Sequence, residues 1–145
     1  MTARVYLDTS ALAKWYLNEP NSDAFEAYAR TLDGAAISRL GVVEFRCLLA
    51  RRRRAKDFDV RIERRILRTF EQDIKNGALE VYPLEDRHAV TALDILNRLT
   101  RYALRTLDAL HLAIALDAET RTIATADRVM AETGKVLGIE IVRFD

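Results

Sequence analysis

The sequence predicts an α/β fold with a parallel sheet, and three observations carry that expectation. Short apolar runs alternate with longer segments of helical periodicity, the alternation of parallel strands joined by helical crossovers. Glycine or proline stands near many of the boundaries, where the chain must turn. Aspartates sit at the ends of two of the apolar runs, and sheets of this kind bind ligands beyond the carboxyl ends of their strands, where the strand order reverses.

Taken in order, Arg4 to Leu7 is the first strand. Ala11 to Leu17 is a helix ended by Pro20, and Ser22 to Leu32 is a second helix that stops near Gly34. Ala35 to Ser38 is the second strand, followed by long helices over Arg39 to Arg54 and Asp59 to Asn76, the latter closed by Gly77. Leu79 to Tyr82 is the third strand, stopped by Pro83. Helices over Asp86 to Tyr102 and Thr106 to Ala118 lead to a fourth strand, Thr122 to Ala124. The helix Arg128 to Leu137 ends at Gly138, and Ile139 to Val142 is the fifth strand. If the chain winds one way through three strands and the other way through two, strands one and four are neighbours.

A length of 145 residues fits one domain, residues 1–145, and with half of it hydrophobic a sizeable core can form. No apolar run approaches the ~20 residues that span a bilayer, and the N-terminus carries no long apolar signal region. A cytoplasmic protein without a membrane partner is therefore expected. The lone Cys47 rules out an internal disulfide and a cysteine-based zinc site. With His88 and His111 as the two histidines, a histidine-rich metal site is not expected either. The net charge is +1, but Arg39 to Arg68 holds eleven basic and four acidic residues, a local +7. Such a region points to a polyanionic partner; a solvated helix face accounts for it equally well.

The acids carry the chemistry. Asp8 follows the first strand and Asp127 the fourth, so both lie at the expected switch point. Taken singly, each is also a good helix cap, because its oxygens accept the orphan N–H groups of a first turn. Glu44 lies on an apolar stripe between Leu40 and Leu48, beside Cys47, where an unpaired carboxylate is costly. Asp108 opens an apolar helix, a position that the helix dipole favours, and His111 follows one turn later. That pair has a metal-ligand spacing, although a partly buried histidine is the simpler reading. Asp117, further along and turned away, is left out of the site. Four carboxylates without cysteine or histidine partners suit oxygen-only coordination of Mg²⁺ or Mn²⁺. Asp8, Glu44, Asp108 and Asp127 are expected to crowd together with few positive partners.

These stretches together resemble a family. "YLDTSALAKWYLNEP" (Tyr6 to Pro20) looks like the opening of PIN-domain proteins, specifically of VapC-type toxins from toxin–antitoxin pairs. "SRLGVVEFRCLLAR" (Ser38 to Arg51) resembles their second acidic segment, "LRTLDALHLAIAL" (Leu104 to Leu116) the third and "TIATADRVM" (Thr122 to Met130) the fourth. The resemblance implies a five-stranded parallel sheet of order 3-2-1-4-5, flanked by helices. It implies a Mg²⁺- or Mn²⁺-dependent endoribonuclease, a homodimer held inactive by a small antitoxin, and cleavage of RNA to a 5′-phosphate and a 3′-hydroxyl. Asp8, Glu44, Asp108 and Asp127 match the family's four acids in order, with Asp8 and Asp108 as the most direct metal ligands. Glu44 and Asp127 would complete the shell, through waters or a second ion. Ser10 and Thr125 match the supporting hydroxyls.

Arg51, Arg52, Arg53 and Arg54 are candidates for steering RNA, or a solvated helix end where cations suit the dipole. Trp15 and Tyr16 are candidates for base stacking or antitoxin contact, with ordinary packing favoured for at least one. Two other enzyme classes place an aspartate after a strand. A haloacid dehalogenase needs a second aspartate where Ser10 stands, and a receiver domain needs an acidic pair and a late lysine that this chain lacks. A catalytically inactive PIN-like protein that binds RNA or a partner remains the alternative.

Overall fold

The computed structural model describes residues 4–145. β1 (Val5–Leu7) runs into α1 (Thr9–Tyr16) and α2 (Ser22–Ala29), then β2 (Ala35–Ser38), α3 (Arg39–Arg54) and α4 (Val60–Lys75). β3 (Leu79–Tyr82) is followed by α5 (Asp86–Arg98) and α6 (Thr106–Asp117), and β4 (Thr122–Thr125), α7 (Arg128–Val136) and β5 (Glu140–Arg143) complete the order. The five strands form one sheet, β3-β2-β1-β4-β5, and every pairing is parallel. The order reverses at β1, whose Tyr6 stands opposite both Ala36 of β2 and Ile123 of β4. This is the topology expected from the sequence, and it places the carboxyl ends of β1 and β4 side by side.

Successive strand residues point to opposite faces, and the core divides accordingly. On one face Tyr6, Ala36 and Ile123 pack with Ile95, Leu112 and Met130 of α5, α6 and α7. On the other, Leu7, Ile37 and Ala124 pack with Leu12, Phe25, Phe45 and Phe70 from α1 to α4. Trp15 and Tyr16 belong to this second layer. Trp15 stacks on Tyr16 at 6.1 Å, and Tyr16 meets Phe70 edge-on at 5.4 Å and donates to Asp73 at 2.6 Å. Both aromatics are thus engaged in packing.

Element ends differ from expectation where local bonds replace helix. α1 begins two residues earlier because Asp8 caps it. α2 stops at Ala29, where the Leu32 and Thr31 amides turn back onto Ala29 and Tyr28. α5 ends at Arg98, and the Tyr102 amide donates to Leu99 in a further turn. Gly77 and Gly138, at φ of +85° and +82°, supply the left-handed residue that ends α4 and α7. Among the described residues, no helix is long and apolar enough to cross a membrane.

Candidate active site

A cavity of about 790 Å³ opens beyond β1 and β4, lined by α1, α3 and the starts of α6 and α7. Asp8, Glu44, Asp108 and Asp127 all line it, although they come from four separate stretches of chain. The apolar stripe around Glu44 is the wall of this cavity, since Leu40, Val43, Cys47 and Leu48 line it too.

Asp8 is the most tightly held of the four. It is the N-cap of α1, with Oδ1 accepting from the Ala11 amide at 3.0 Å and from Ser10 Oγ at 2.7 Å. Oδ2 accepts from Thr125 Oγ1 at 2.5 Å. The carboxylate is both a cap and a cavity group. Burial pushes its carboxyl above the usual range, opposed by the field of His111, by the Thr125 and Ser10 hydroxyls and by the Ala11 amide. The two hydroxyls also tie the strand ends together. Ser10 Oγ accepts from the Ala126 amide at 2.8 Å, and Thr125 Oγ1 accepts from the Asp127 amide at 2.9 Å.

Glu44 has partners that its place in the sequence does not announce. Its Oε1 accepts from Thr9 Oγ1 at 2.8 Å and lies 2.5 Å from His111 Nε2. His111 Nδ1 lies 2.6 Å from the Tyr6 hydroxyl, which lies 2.9 Å from Ser38 Oγ. The expectation of four acids without a histidine partner is corrected here. His111 is buried and spends both ring nitrogens on Glu44 and Tyr6, so it orients a carboxylate and is not open to an ion. Burial alone would raise the Glu44 carboxyl, but the hydrogen bond and field of His111, with Thr9 and Arg105, bring it below its usual value.

Arg105 is the second correction. Asp108 sits in the first turn of α6, where its Oδ2 accepts from the Arg105 amide at 3.3 Å and from Nε at 3.4 Å. Asp127 caps α7 through Oδ1, accepting from the Met130 amide at 2.8 Å, and its Oδ2 lies 3.5 Å from the Arg105 guanidinium. One exposed arginine therefore bridges two of the four acids, which were expected to have few positive partners. The signal available in the sequence was its place three residues before Asp108, one helical turn away.

The arginine run divides by helical direction. Arg51 and Arg52 line the cavity, but Arg52 is paired with Glu19 and Asp57. Arg53 turns to α4, where its Nε donates to both oxygens of the buried Glu63 at 3.2 and 3.1 Å. Arg54 is exposed away from the cavity. Asp117 lies elsewhere, held by His88 at 2.8 Å and by Arg87.

The arrangement is an acidic floor with Lys14, Arg51, Arg52 and Arg105 around it. Among the described residues, no three acidic, histidine or cysteine side chains stand close enough to make a ready-formed metal cage. The donors facing the cavity are nonetheless carboxylate oxygens, the ligand type of Mg²⁺ and Mn²⁺.

A model of the PIN domain matches residues 5–136. The chain is 33% identical to the ribonuclease VapC46 of Mycobacterium tuberculosis over 143 residues, 97% of each chain. Among solved structures it resembles VapC20 of Mycobacterium tuberculosis, described as a sarcin–ricin loop cleaving toxin. That match has a TM-score of 0.70 and 17% identity, and covers 90% of this chain and 95% of the other. It also resembles a chain of VapBC2 from Rickettsia felis bound to a promoter DNA fragment. There the TM-score is 0.67 at 16% identity, covering 97% of this chain and 98% of the other.

Proposed function

This chain belongs to the PIN domain family, and from that premise we propose that it is a divalent-metal-dependent endoribonuclease, the toxin of a toxin–antitoxin pair. The observation that carries the proposal is the convergence of Asp8, Glu44, Asp108 and Asp127, from four separate stretches of chain, on one cavity. The names of its relatives agree with that chemistry: VapC46 is called a ribonuclease and VapC20 a sarcin–ricin loop cleaving toxin. VapBC2, solved with a promoter DNA fragment, favours an antitoxin as the protein partner.

Asp8 and Asp108 would hold Mg²⁺ or Mn²⁺, with Glu44 and Asp127 completing the shell. When bound, such an ion acidifies a water and balances charge on a phosphoryl oxygen. The protein's own part is positional. Ser10 and Thr125 lock the Asp8 carboxylate, and Thr9 with His111 fixes that of Glu44. Both bonds to Glu44 fall on Oε1, which leaves Oε2 for the ion. Arg51, exposed at the rim, would meet a backbone phosphate.

The experiment is cleavage of total RNA by the purified protein, with Mg²⁺ or Mn²⁺ and with EDTA. Asp8→Asn and Asp108→Asn keep side-chain size and should remove most cleavage. Near-normal cleavage by both variants would sink the assignment. One observation favours a second reading, a protein that binds RNA without cutting it: Arg105 already occupies a cation's place between Asp108 and Asp127. RNA binding with no cleavage in any divalent ion would select that reading.

A further inference from the structure

The basic segment extends well past the cavity, and its densest part is on α4. Arg61, Arg64, Arg65 and Arg68 recur at i, i+3, i+4 and i+7 and are all exposed. They form one stripe, roughly 10 Å long at the helical rise, on the side opposite buried Phe70. Gln72 and Lys75 continue that side and add no acid to it. Two of the helix's own acids are turned elsewhere, and the third, exposed Glu71, flanks the stripe one turn after Arg68. Glu63 is buried against Arg53 and Arg46, Asp73 accepts from Tyr16, and Glu71 lines a groove toward α3. Among the described residues, none of the four arginines has a carboxylate partner. Like charges at these spacings weaken a helix. The fold does not call for them, since α4 is already anchored by its apolar side.

We propose that the α4 stripe is an RNA-binding surface outside the catalytic cavity, gripping backbone phosphates while the cavity holds the scissile bond. The proposal rests on the ribonuclease reading above. Two features favour RNA over an acidic protein segment. All four residues are arginines, whose planar forks match phosphate oxygens. The stripe also connects to the cavity: exposed Arg54 and Lys56 stand at the end of α3, and Arg51 and Arg52 line the cavity one turn earlier. A strand leaving the acids along this rim reaches α4 past two acids, Asp57, which is paired with Arg52, and Asp59, which is engaged in capping the helix.

The test is the combined variant Arg61→Gln, Arg64→Gln, Arg65→Gln and Arg68→Gln, which keeps helix propensity; its helical content is checked by circular dichroism. Binding is measured in EDTA, across a salt series, with two random-sequence RNA pools and with polyglutamate. One pool is too short to reach from cavity to stripe and the other is long. The variant should bind the long pool about tenfold more weakly or worse, with a log–log salt slope reduced by about 0.7 for each phosphate that is no longer neutralised. Affinity for the short pool should not change, and in Mn²⁺ neither should the rate of cutting it. Equal affinity and slope on the long pool would overturn the proposal. Loss of polyglutamate binding with RNA binding intact would overturn it too, and would mark the stripe as a dock for an acidic protein. Absence of cleavage by the wild type would count against the ribonuclease reading alone, because the binding comparison still decides the stripe.

Discussion

The four acids differ in what each would lose. Asp8 is held above the usual carboxyl range by burial, so in the ion-free protein its charge is a burden. The native state retains a proton that the unfolded chain has already released, and stability contributed at this position falls as pH rises above the unfolded value near 4. Asp8→Asn should therefore match the wild type near about pH 4 and melt above it near about pH 8 in EDTA. Glu44 has the opposite sign: its lowered value supplies stability above the unfolded pKa that is lost on acidification. Glu44→Gln should cost most at neutral pH. Arg105 gives a second test at this scale. Its ion pairs are exposed on the arginine side, and such pairs contribute ~0–1 kcal/mol. Arg105→Gln should lower the melting point only slightly in EDTA but enlarge the gain on adding Mn²⁺, because a competing cation is gone. An unchanged metal shift would mean that the guanidinium does not compete. Asp8, Asp108 and Asp127 were legible because each stands at a strand end or helix start, where position alone has meaning, and Glu44 because a carboxylate on the apolar stripe of α3 needs a partner. The contacts of Thr9 and His111 with Glu44 and of Arg105 with Asp127 were not, because they depend on α1, α3, α6 and α7 coming together.

At the scale of elements, the arginine run shows how one motif serves two ends. Arg51 faces the cavity, whereas Arg53 neutralises Glu63, which is buried on α4 with Arg46 as its more distant partner. Arg53→Ala strands that carboxylate and should cost about 1–3 kcal/mol by chemical denaturation. Arg51→Ala should leave stability within about 0.5 kcal/mol, as surface changes usually do, while weakening RNA binding. The reverse ranking would mean that the run is misassigned. β2, β3 and β5 could be read directly because Gly34, Gly77, Pro83 and Gly138 punctuate them, and the start of α3 because Ser38 is a good cap. The ends of α2 and α5 could not, because Arg30, Leu32, Leu99 and Arg101, residues of good helix propensity, leave the helix for local turns closed by the Thr31, Leu32 and Tyr102 amides. Residues two positions apart can thus differ completely in role, since a helix turns about 100° per residue.

For the whole molecule, the expected outcome is growth arrest when this chain is expressed alone, absent with Asp8→Asn and relieved by a co-expressed antitoxin. Equal toxicity of the two forms, followed by growth curves, would remove ribonuclease action as the cause. The strand order was legible at this scale because parallel crossovers admit few topologies. The partner surfaces were not, because a charged residue reads the same whether it meets solvent or another molecule. That strand order also has a temporal side. The bond from Thr125 to Asp8 joins residues 117 positions apart. A ribosome makes the first acid near the start of its work and the last near the end. Until β4 has emerged and inserted beside β1, there is no place where the acids meet. A chain released before β4 should therefore be inert, and the assembled cavity should appear only when synthesis is almost done.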